Sequence, residues 1–139
     1  MKEIFDIVSY RSSEITTKLY STSFSFGIKA LNRKLHKPIY AIYGFVRLAD
    51  EIVDTFHNFD KETLLLKFKH DTHEAIKDKI SLNPILNSFQ DVVNSYNIDL
   101  VLVDTFLNSM EMDLNHTLYD KSKYEKYILG SAQVVGLMC

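Results

Sequence analysis

The chain has 139 residues, enough for one domain with a core of its own. At 46% hydrophobic and 24% charged it is not a disordered chain, and 16 basic against 18 acidic residues leave no electrostatic footprint for nucleic acid. The one cysteine, Cys139, allows no disulfide framework and no cysteine metal site within one chain, which fits a reducing cytoplasm.

Four glycines and two prolines are too few for a turn-rich β fold. The apolar spacing instead predicts helices at 3–19, 38–57, 61–79, 84–96, 99–117 and 121–138. The opening stretch, MKEIFDIVSYRSSEITTKLY, has charges throughout and no apolar centre, so it does not read as a signal peptide. Pro38 suits the first turn of the second helix. Asp60, Asn83 and Asp99 are candidate caps at three short breaks, and breaks that short predict antiparallel neighbours. The alternation in DLVLVD (99–104) would also suit a strand, but the apolar pattern continues through Phe106, Leu107 and Met110. No stretch reaches the roughly 18 apolar residues of a membrane span. Peripheral membrane contact stays open.

The second helix carries the chemistry. PIYAIYGF (38–45) has no charge, and then Arg47, Asp50, Glu51 and Asp54 arrive together. At about 100° per residue, Tyr40, Tyr43, Arg47, Asp50 and Asp54 share one stripe, with Glu51 at its margin. Ile39, Ile42, Phe45, Val46, Leu48, Ala49, Ile52 and Val53 fill the other faces, so the helix should be largely buried. Its stripe then faces solvent or a polar cavity. In the first case Arg47 and Asp50 form a surface i,i+3 pair. In the second, Asp50 and Asp54, which repel at i,i+4, share Mg²⁺, a hard cation that leaves coordination positions for water and phosphate oxygens.

Four segments resemble the phytoene/squalene synthase family: YSTSFSFGIKAL (20–31), PIYAIYGFVRLADEIVD (38–54), SMEMDL (109–114) and YILGSAQVVGLMC (127–139). Their wording is closer to bacterial phytoene synthases than to eukaryotic squalene synthases. The resemblance implies an all-α isoprenoid-synthase helical bundle, of which residues 1–139 form the N-terminal part of a single domain. It implies head-to-head joining of two isoprenyl diphosphates. The substrate would be geranylgeranyl diphosphate and the product phytoene, or farnesyl diphosphate with squalene or dehydrosqualene as product.

The same resemblance assigns roles. Asp50 and Asp54 match the first D-x-x-x-D motif, which would hold Mg²⁺, or Mn²⁺ in its place, against diphosphate. Arg47 would contact diphosphate oxygens. Ser21, Ser23 and Ser25 match a serine-rich segment of the diphosphate region. Tyr43 and Tyr127 match aromatic cavity positions. Ala132, Val135 and Gly136 match small or apolar cavity positions, and Asp113 an acidic position at the polar end. Phe24, Phe26, Tyr40 and Tyr43 could turn ring faces toward cationic intermediates; for the phenylalanines, core packing is the competing reading. His70 and His73 have metal-compatible i,i+3 spacing but sit among lysines and acids, as on a solvated face.

One departure from the family matters. The family's second aspartate motif lies downstream of the last matching segment, and no further D-x-x-x-D follows Asp54. The expectation is a fragment or a split gene, with a second polypeptide completing the site. A non-catalytic helical subunit is the alternative.

Overall fold

The computed structural model describes residues 1–115, and the predicted helix at 121–138 lies outside them. The described residues form six helices: α1 (Lys2–Tyr20), α2 (Thr22–Lys29), α3 (Arg33–Asp54), α4 (Lys61–Asp78), α5 (Pro84–Ser95) and α6 (Leu100–Asn115). DLVLVD is helical, as the continuing apolar pattern implied.

The segment 20–37, where no helix is predicted, holds α2, whose N-cap is Ser21; its hydroxyl oxygen accepts from the Phe24 amide at 3.2 Å. And α3 begins at Arg33, because Asn32 caps it by accepting from the Lys34 amide at 3.0 Å. Pro38 therefore sits inside the helix rather than in its first turn, where it forgoes one bond to the carbonyl four residues back. The other end of α3 also comes earlier than predicted, at Asp54. There Lys61 donates to the Val53 carbonyl and answers one of the last unpaired acceptors. Asp60 and Asn83 cap α4 and α5 as predicted, and Asp99 accepts from the Val101 amide at 2.9 Å.

The core centres on Phe45. Its ring lies 3.8 Å from that of Phe89 and nearly parallel to it, 5.4 Å from Phe68 and 5.5 Å from Phe106. One residue of α3 thus meets α4, α5 and α6. The pairs Phe45–Phe68 and Val53–Lys61 run α4 antiparallel to α3, and Ile76–Asn94 with Ser81–Asn87 do the same for α5 against α4. Helix α1 is held differently. Its buried residues are Ser9, Ser13 and Thr17. Ser13 bonds Ser88 of α5 at 2.7 Å, and Asn87 donates to Asp6 and Ser9 at 2.9 and 3.0 Å. Small side chains let α1 approach α3 closely at Gly44. A polar seam also joins α4 to α6: Lys69 donates to Glu111 at 2.8 Å and to Asn108 at 3.1 Å, and His73 donates to Asp104 at 2.5 Å. His73 makes an interhelical bond on a face that is still solvated, its side chain 41% exposed.

Candidate diphosphate and metal site

Helix α3 presents Tyr43, Arg47, Asp50 and Asp54 in succession, and neighbouring helices decide what each meets. Tyr43 is half-buried and stacks on Phe24 of α2, centroids 4.9 Å apart. The short helix α2 thus brings the aromatic residue of the serine-rich segment onto the α3 stripe. Of the serines, Ser21 is spent on capping, Ser23 is exposed and Ser25 is buried. Phe26 is exposed. Tyr40 leaves the stripe: it is buried with Ile28 and Ile39 and lines a separate pocket against α1. Packing against α1 and α2, rather than helical phase, sets its surroundings.

Arg47 does not pair with Asp50, as a surface i,i+3 pair would require. It donates to Glu51, and its guanidinium carbon lies 4.6 Å from the centroid of the Tyr20 ring. Its Nε is buried and has no hydrogen-bond partner among the described residues. Glu51, placed at the margin by phase alone, is buried. The hydrogen bond from Arg47 outweighs desolvation and holds the Glu51 carboxyl below the usual range, with Thr55 and Tyr20 adding to the effect. Sequence reasoning missed Glu51 and Tyr20 as the residues that orient Arg47. The available signal was the i,i+4 spacing from Arg47 to Glu51.

That arrangement leaves Asp50 and Asp54 without a salt bridge among the described residues. Both lie near the C-terminal end of α3, where the helix dipole is unfavourable to negative charge. Burial first, and the Asp54 charge second, push the Asp50 carboxyl up to about 6; Arg47 opposes this, and Asp113 of α6 reinforces it. Asp113 therefore stands in the electrostatic environment of Asp50, across from α3. Among the described residues no three His, Cys, Asp or Glu side chains group closely enough to hold a metal. A cation here would rest on the Asp50 and Asp54 carboxylates and complete its sphere with water or phosphate oxygens, the habit of Mg²⁺. An acid raised by burial and by neighbouring acids is one whose charge a bound cation would favour. Tyr127, Ala132, Val135 and Gly136 lie outside the described residues.

A family model described as squalene/phytoene synthase matches residues 17–139. The chain belongs to the squalene/phytoene synthase family. Among solved structures, the crystal structure of a dehydrosqualene synthase in complex with ligand matches with a TM-score of 0.81 at 21% sequence identity. The match covers 96% of this chain and 46% of that one, so this member of the family spans about half the length of its structural relative. At that identity the likeness bears on fold, and the fold is the all-α isoprenoid-synthase bundle. No curated protein matches the chain.

Proposed function

We propose that this chain supplies the first aspartate motif of a Mg²⁺-dependent prenyltransferase that joins two geranylgeranyl diphosphates head to head into phytoene, in carotenoid biosynthesis. The observation that carries the reading is the α3 constellation: an oriented arginine followed by two carboxylates one turn apart, facing a third acid on α6. Arg47 binds diphosphate oxygens through guanidinium N–H groups that its bond to Glu51 leaves free. Asp50 and Asp54 would hold Mg²⁺, which supplies positive charge against the diphosphate as it departs. The stacked Phe24 and Tyr43 offer ring faces to positive charge on the isoprenyl chain and help keep water away. The opposing carboxylates of the reaction come from outside residues 1–139, whether from further chain or from a second polypeptide.

Dehydrosqualene formation from farnesyl diphosphate is the second reading, favoured by the named structural relative. The test supplies the chain, together with a polypeptide carrying a second D-x-x-x-D motif, with Mg²⁺ and either the C20 or the C15 diphosphate, and separates the products by chromatography. Phytoene from the C20 substrate is expected. Asp50→Asn and Asp54→Asn should each lower turnover by orders of magnitude with helix content unchanged. Product from the C15 substrate alone moves the assignment to the second reading, and full turnover in both aspartate variants removes α3 from the chemistry.

A further inference from the structure

Arg47 has two acidic neighbours within reach on α3. Asp50 lies three residues on and Glu51 four, and both spacings suit an ion pair. For the i,i+4 pair the order is the weaker one, because the cation precedes the acid. Yet Arg47 bonds Glu51, and Asp50 forms no ion pair among the described residues. The choice also leaves the Arg47 Nε buried without a hydrogen-bond partner. A buried donor left unpaired is unfavourable, and nothing on α3 alone explains it.

The reason comes from α1. Tyr20 is its last residue, and the centroid of its ring lies 4.6 Å from the Arg47 guanidinium carbon. A guanidinium stacks on an aromatic face through its plane, so the ring fixes its tilt as well as its place. Tyr20 and Thr55 also favour the charged form of the Glu51 carboxyl, which keeps the acceptor ionised. Tyr20 is itself held at a helix junction. The Ser21 amide donates to the Thr17 carbonyl at 2.9 Å and closes α1, while the Ser21 hydroxyl oxygen accepts from the Phe24 amide at 3.2 Å and opens α2. Tyr20 is 51% exposed, so burial in the core does not force its ring onto Arg47.

We propose that Tyr20 and Glu51 are positioning residues that hold Arg47 off Asp50. The Asp50 and Asp54 carboxylates are thereby kept open for a divalent cation, and the arginine is kept from its nearest competing acid. Released from Tyr20 and Glu51, the guanidinium would close on Asp50 at i,i+3, and a cation would have to displace it. The inference rests on the cation reading of the aspartate pair given above. It extends that reading to two residues that act through Arg47.

The experiment titrates the 139-residue chain with Mn²⁺ and reads the free ion by electron paramagnetic resonance, so it needs no turnover. Asp50→Asn should abolish binding and so verifies the site. Tyr20→Leu changes no charge and should weaken binding roughly threefold, in line with one exposed cation–π contact. In an Arg47→Met background the same substitution should change nothing, because it acts through Arg47. Tyr20→Phe keeps the ring face and should bind like wild type. Glu51→Ala should weaken binding roughly tenfold, and Arg47→Met should recover more affinity there than it adds to wild type. An unchanged thermal melt verifies the fold of Tyr20→Leu, which carries the test alone where Glu51→Ala unfolds. The proposal is overturned if Asp50→Asn abolishes binding while Tyr20→Leu binds like wild type, or if Tyr20→Leu loses as much in the Arg47→Met background. A wild-type chain that binds no Mn²⁺, or an Asp50→Asn variant that binds like wild type, takes the cation off α3, and the reading of the site then falls together with the proposal.

Discussion

Arg47 and Glu51 are held together one turn apart on α3, with the Tyr20 ring of α1 against the guanidinium. Both side chains are mostly buried, 25% and 11% exposed. Removing the acceptor therefore strands a cation whose Nε already lacks a partner. Glu51→Ala should destabilise the fold by about 1.5–3 kcal/mol, the range for a hydrogen bond to a charged group. Urea unfolding measures it. Glu51→Gln, which keeps an acceptor, should lose less than half as much; an equal loss would mean packing rather than charge holds Arg47.

Arg47→Lys keeps the charge but not the plane. An ammonium cannot bind two phosphate oxygens side by side, and it forfeits the stack on Tyr20. In the complemented synthase, kcat/KM should fall by at least about tenfold, roughly the worth of one charge-assisted hydrogen bond. Full activity would return Arg47 to a structural pair with Glu51.

Asp50 sets a pH dependence. Its carboxyl is pushed up to about 6, from the ordinary aspartate value of 3.8, by burial and by Asp54. A raised acid binds its proton more tightly in the folded chain than in the unfolded one. Its stabilising contribution is complete below pH 4 and is lost as pH rises through about 6. Between those limits the metal-free chain should lose of order 2 kcal/mol. Asp50→Asn should flatten that part of the profile and raise stability at pH 7. Thermal melts from pH 4 to 7.5 decide it, and an unchanged slope in the variant would assign the dependence elsewhere.

Much of this arrangement was legible in the sequence for a physical reason. The long apolar pattern of α3 leaves one polar stripe, and its phase follows from the helix repeat alone. What was not legible depends on neighbours. Helix α2 is eight residues long, too short for a period to emerge. Tyr40 and Tyr43 share a phase, yet one packs into a pocket against α1 and the other stacks on Phe24. Glu51 is ordinary by position and becomes decisive only because Tyr20, thirty-one residues earlier, closes over its partner. The α1 seam hides for a related reason: a face of Ser9, Ser13 and Thr17 reads as solvated until α5 supplies Ser88 and Asn87.

The α4–α6 seam should control how firmly Asp113 faces Asp50. Lys69→Met removes the bonds to Glu111 and Asn108 while leaving an aliphatic stem of similar length. Both charged side chains are about 30% exposed, so the global cost should stay below about 1 kcal/mol. The local effect should be larger: amide hydrogen exchange across α6 should speed up, with α5 unchanged. Equal exchange in the variant would show that Phe106, Leu107 and Met110 alone fix the helix.

Gly44 is the tightest test of how α1 sits. A Cβ added there would lie 2.8 Å from Ser13 Oγ, 3.0 Å from its Cβ and 3.2 Å from its Cα. The hydroxyl cannot swing away freely, because it is bonded to Ser88 at 2.7 Å, and the Cα cannot move without the helix. Alanine in place of glycine inside a helix is otherwise worth about 1 kcal/mol. Overpacking costs about 1–3 kcal/mol, so Gly44→Ala should be destabilising on balance. In the Gly44→Ala background, Ser13→Ala removes the closest contact, and it should cost less there than in wild type. A double-mutant cycle reads that coupling directly. Additive effects would mean that α1 yields as a body, and the close approach of α1 to α3 would then not be what fixes Tyr20 over Arg47.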